Sequence, residues 1–136
     1  MSTTATPRVH REWANRVAAE YTSATYAAQA LHRAIQLGLP DTTHRTAMRI
    51  VGDELDHARL SHECLVALGG SASPIPLELG RLELPRSEDG PVADLLDNIV
   101  RNFCLGETFA VPPFDRLRRA ATQPAVQPAL TRILRD

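Results

Sequence analysis

Aromatic side chains are scarce in this sequence, at 4% of its 136 residues, and there are only two cysteines. With Ala, Leu and Arg dominating instead, the composition favours helices over sheets and points to an all-α fold. Cys64 and Cys104 stand alone, without CxxC spacing, which argues against a disulfide framework or a zinc knuckle. Both are expected as reduced core residues. Neither charge sign predominates: the formal net charge is −1 and the isoelectric point is near 6.5. The basic field that nucleic acid or an anionic membrane surface would require is therefore missing. No run of 18 apolar residues occurs, so no membrane span is expected. The polar start, Met1 to Pro7, lacks the basic and apolar regions of a signal peptide, and a cytoplasmic location follows by default.

What is present is an ordinary soluble mixture, 43% hydrophobic and 23% charged, long enough for one domain with one core. Residues 1–8, rich in Ser, Thr and Pro, read as a disordered lead-in, and residues 9–136 as a helical bundle. A first helix spans about Val9 to Leu37, with Trp13, Val17, Ala24, Ala27, Leu31 and Ala34 on one face and Gly38-Leu39-Pro40 as its stop. Asp41, Thr42 or Thr43 can cap a second helix that runs to Gly69-Gly70, making an antiparallel hairpin with the first. Residues 71–90 hold three prolines and two glycines and read as a long crossover, with Ile75 to Leu84 extended but unpaired. A third helix begins near Pro91 with Leu96, Val100, Phe103, Cys104, Glu107, Val111 and Phe114 on its apolar face. Pro112-Pro113 should kink or interrupt it. A short last helix follows Pro124, with Val126, Leu130, Ile133 and Leu134 apolar, and it stops mid-pattern at Arg135-Asp136.

The second helix carries Asp53-Glu54-Leu55-Asp56-His57-Ala58-Arg59-Leu60. At roughly 100° per residue, Glu54 and His57 share a face with Ala47, Ile50, Val51, Ser61, Leu65 and Leu68. A carboxylate inside an apolar stripe costs several kcal/mol unless it is paired, protonated or bound to a cation. Glu20 on the first helix and Glu107 on the third sit in their stripes in the same way. Three buried acids repel one another, and a divalent cation answers all three together.

Three inward carboxylates, one followed by a histidine three residues on, make up most of a dinuclear metal site in a bundle core. At these residues the chain resembles the ferritin-like superfamily, and in particular bacterial ferritin-like domain proteins. The matching motifs are Glu20-Tyr21-Thr22-Ser23-Ala24-Thr25, Asp53 to Leu60, and Gly106-Glu107-Thr108. The resemblance implies an antiparallel four-helix bundle with a long crossover between the second and third helices and a shortened last helix. It implies Glu20, Glu54 and His57 as ligands of a first iron, with Glu54 bridging, and Glu107 as a ligand of a second. Ser23 belongs beside these ligands, and Asp136 matches the residue that accepts the outer N–H of His57. The family's fourth helix supplies a second Asp-Glu-x-x-His, of which only Asp136 is present here, so the bundle is incomplete at its C-terminus. Iron, with manganese as the substitute, is the implied cofactor: two ions in a complete member, one or none in this chain. Hard carboxylate oxygens with imidazole suit those ions better than zinc. The implied activity is oxidation of a small organic substrate by O2. The other readings are an iron-storage module, using Leu77, Leu79, Leu82 and Leu84 as an assembly surface, and a metal-free scaffold. A homodimer could complete the site along the short last helix.

Overall fold

The computed structural model describes residues 5–136. Among them the architecture is all-helical, without strands, and the helices pack as four rods. The first rod is α1, Pro7–Gln36, and the second is α2, Asp41–Ala67. The third has three segments: α3, Pro91–Asn98; a π-helical stretch, Ile99–Leu105; and α4, Gly106–Ala120. The last is α5, Val126–Ile133. No helix is long and apolar enough to cross a membrane.

The α1–α2 hairpin is built on small residues. Ala24, Ala27, Ala30 and Ala34 of α1 are buried, as is Ala58 of α2, and short side chains let the two backbones approach closely. Gly38, at φ 64°, supplies the left-handed turn that ends α1, and the Leu39 N–H closes it by donating to the Ala34 carbonyl at 3.0 Å. At the hairpin's open end, Trp13, Cys64, Leu65, Val126, Ala129 and Leu130 form the main core cluster, with α5 filling the space beside α1 and α2. His10 bonds the Leu68 carbonyl at 2.9 Å and ties the start of α1 to the end of α2.

The crossover of residues 68–90 is extended apart from one 3₁₀ turn, Leu79–Arg81, as its prolines suggest. Side chains of α1 fasten it down. The Tyr26 hydroxyl donates to the Arg81 carbonyl at 2.8 Å, and Gln29 both donates to the Leu82 carbonyl at 2.7 Å and accepts from the Leu84 N–H at 3.1 Å. Arg33 then pairs with Asp94 at 2.8 Å, holding α3 against α1.

Several expectations need correction. Of the proposed lead-in, residues 1–4 lie outside the described residues, and Pro7 and Arg8 are already helical, because proline at a first turn gives up only an N–H that has no helical partner. Asp41, Thr42 and Thr43 do not cap α2: Pro40 occupies the cap position and Asp41 begins the helix. Pro112 and Pro113 lie inside α4 without ending it. A further irregularity is the π-helical stretch just before Glu107. That wider turn shifts the register of everything after it, so a single 3.6-residue period cannot describe the whole rod. Leu95 and Asn98 are the buried residues of α3, and Leu96, Val100, Cys104, Glu107 and Val111 are exposed. Asn98 tolerates the interior because its amide donates to the Tyr26 carbonyl at 2.9 Å. Cys64 is buried as expected, but Cys104 is not a core residue; both thiols are free.

Leu130 has no exposed surface and touches the core from the far side of α5. Leu130→Ala should lower unfolding stability by about 2–5 kcal/mol, read from the denaturant midpoint at unchanged slope. A loss below about 1 kcal/mol would show that α5 is not part of the core.

Candidate metal centre

α1 and α2 present their central acids to each other. Glu54 and His57, one turn apart on α2, are 6% and 8% exposed, and Glu20 faces them from α1, half-buried. One donor atom from each of the three lies within 4.8 Å of the others. That spacing suits a single cation held by two carboxylate oxygens and an imidazole nitrogen. Ser61, one turn beyond His57, is fully buried with an unpartnered hydroxyl among the described residues.

The electrostatics are those of acids denied water. Burial comes first in pushing the Glu54 carboxyl up to about 8, with Glu20 beside it second and Glu107 further off; the Ser23 hydroxyl works the other way. Burial also raises Glu20. It is partly offset by the protonated Glu54 side chain donating toward it, by His57 and by Arg16, while Glu107 adds to the rise. At neutral pH the pair therefore shares a proton between its two carboxyls.

His57 Nε2 is buried without a hydrogen-bond partner among the described residues. Asp136 Oδ2 lies 3.8 Å from it. Asp136 is held elsewhere: Arg132 donates to the same oxygen at 2.7 Å, and that contact keeps the Asp136 carboxyl below the ordinary carboxylate range. The expected His57–Asp136 partnership is thus an approach without a hydrogen bond.

Glu107 does not join the cluster. It lines the same cavity but is exposed, and its donor atoms fall outside the Glu20–Glu54–His57 group. The cavity, about 940 Å³, lies among α1, α2, α4 and α5, and Ser23, Phe114 and Asp136 also line it. Tyr21 and Tyr26 do not line this cavity, and Arg59 forms surface pairs with Glu63 at 2.7 Å and Asp56 at 3.6 Å. Spacing sets Arg16 near the Glu20 face, where it could pair with that acid in an empty site. It does not pair with Glu20; it stacks on Phe114 and Trp13. The Trp13-x-x-Arg16 spacing, one helical turn, was the available signal.

No family model, curated protein or solved structure matches this chain.

The raised Glu54 carboxyl makes stability depend on pH. Between its ordinary value of 4.5 and about 8, the folded metal-free protein retains a proton that the unfolded chain has released. Stability therefore falls as pH rises through that window, by up to about 1.4 kcal/mol per pH unit for one group, and levels off above it. Metal-free Glu54→Gln should lack this fall, unfolding at a higher denaturant concentration than the parent at pH 8 and at a similar one near pH 4.5. A variant less stable than the parent at pH 8 would contradict the assignment.

Proposed function

We propose that the chain is a ferritin-like carboxylate metalloprotein in which Glu20, Glu54 and His57 hold one iron or manganese ion. The carrying observation is the approach of three donors within 4.8 Å at the centre of a buried helix pair, two of them acids whose carboxyls burial raises above the ordinary range. A cation of charge two removes the repulsion between Glu20 and Glu54, takes the place of their shared proton, and meets the hard oxygen and nitrogen donors it prefers. Neither Cys64 nor Cys104 belongs to the cluster, in keeping with iron or manganese over zinc.

The fourfold helical arrangement and the long crossover between α2 and α3 agree with that family's architecture. Ser23 beside Glu54 supports the carboxylate. A second ion would rely on Glu107, which among the described residues has no histidine with it. One ion per chain is therefore our reading, and a two-iron centre would require donors from elsewhere, such as a second copy in a homodimer.

When bound, a redox-active ion in this position would supply electrons and open coordination sites to O2. The chain's part is then to keep water out with the Trp13–Leu130 core, to orient His57, and to offer the cavity beside the cluster to a small organic substrate. The exposure of Glu107 favours a second reading, a bundle that has lost the chemistry and keeps only the scaffold.

Titrating Mn2+ into EDTA-treated protein decides between them. About one ion per chain should bind and raise the unfolding temperature in a concentration-dependent way, by about 2.7 kcal/mol of stability at a hundredfold excess over Kd. Glu54→Ala should abolish both effects, and Glu107→Ala should leave the first ion in place. Absence of binding, or binding unchanged in Glu54→Ala, would leave the scaffold reading standing.

A further inference from the structure

The Glu20–Glu54–His57 cluster leaves Arg16, a cation in the lining of the same cavity, unexplained. Arg16 lies one turn before Glu20, with its guanidinium carbon 3.4 Å from the centre of the Phe114 ring and 5.3 Å from that of Trp13. Stacking of this kind holds the flat guanidinium by its faces and leaves its N–H edges free to donate. Yet Nη1 is buried with no hydrogen-bond partner among the described residues, and Glu20 attracts the group only from a distance, without an ion pair. A buried, unpaired guanidinium N–H is costly in a folded protein, and the ordinary remedies, a carboxylate or a backbone carbonyl, are not in reach.

The position and rigidity of Arg16 describe half of a recognition pair. Both Arg16 and Phe114 line the cavity that also holds the carboxylate–histidine cluster. Its other walls near α4 are apolar, with Ala110, Val111 and Leu117 among them. We infer that the cavity takes a small organic acid, its carboxylate bound in the plane of the Arg16 guanidinium and its apolar body lying along the α4 wall. A carboxylate matches the parallel donors on the edge of the Arg16 guanidinium that lines the cavity. A phosphate or another polyanion fits less well, because five acids share the lining with three arginines, Arg8, Arg16 and Arg135. The inference names the substrate class for the chamber of the proposed function and rests on that reading for its catalytic meaning. The binding itself needs no metal.

Trp13, the single tryptophan of the chain, reports on the site directly through its fluorescence. The probes are octanoate and its neutral counterpart octanamide, titrated at pH 7 into EDTA-treated protein. Octanoate should bind about tenfold more tightly or better than octanamide, as a charge-assisted hydrogen bond requires. Arg16→Gln should remove the preference, and Arg16→Lys should restore part of it. Equal binding of the two probes by the parent protein, or no binding of either, overturns the proposal without recourse to a variant. So does octanoate binding that is unchanged in Arg16→Gln, that is displaced by millimolar inorganic phosphate, or that appears only after Mn2+ is added, which would place the carboxylate on the ion. Mn2+ binding is measured separately on the same protein. A chain that prefers octanoate but takes up no Mn2+ would refute the metal reading and leave this one intact.

Discussion

Two carboxyls that cannot both ionise govern this structure. Glu20 and Glu54 meet across the α1–α2 interface, largely withdrawn from water and with His57 beside them. In such a place each negative charge raises the cost of the other, so the pair holds a proton at a pH where free carboxylates would not. A proton and a metal cation are alternative solutions to the same electrostatic problem. The fold has to be stable enough with the first to be ready for the second.

The rest of the bundle meets that requirement in a recognisable way. Alanines let α1 and α2 approach, the Trp13–Leu130 cluster anchors one end, and side chains of Tyr26, Gln29 and Arg33 strap the crossover and α3 to α1. Those contacts leave α4 with no buried residues at all. The helix that carries Glu107 is thus the least constrained wall of the cavity, whereas the helices that carry Glu20, Glu54 and His57 are the most constrained. The asymmetry between a closed half-site and an open one follows from packing, before any ion is considered.

Helix number, the α1–α2 hairpin, the extended crossover and the Glu20–Glu54–His57 grouping were all legible in the sequence. Each rests on a local signal: a stripe with a 3.6-residue period, Gly38 followed by Pro40, prolines spread through residues 74–85, or an acid at the centre of an apolar face. Where the reading failed, a non-local or register-dependent effect had taken over. The π-helical stretch at Ile99–Leu105 separates the register of Leu96 from that of Glu107, because periodicity projected across a wide turn points to the wrong face. Asn98 took an interior place that its polarity seemed to forbid, through one hydrogen bond to a carbonyl on another helix. Arg16 looked like a partner for Glu20 on spacing alone; the rings of Trp13 and Phe114, the second of them about a hundred residues away in sequence, are what hold it.

The exchange of proton for cation at Glu54 is the point at which the account is most exposed. Isothermal titration of Mn2+ into the metal-free protein at pH 7, repeated in buffers of different ionisation enthalpy, counts the protons released as the ion binds. Because Glu54 holds its proton up to about pH 8 in the metal-free state, about one proton per ion should be released. Binding with no proton release, or no binding, would contradict the claim that a buried carboxyl pair is the seat of the metal.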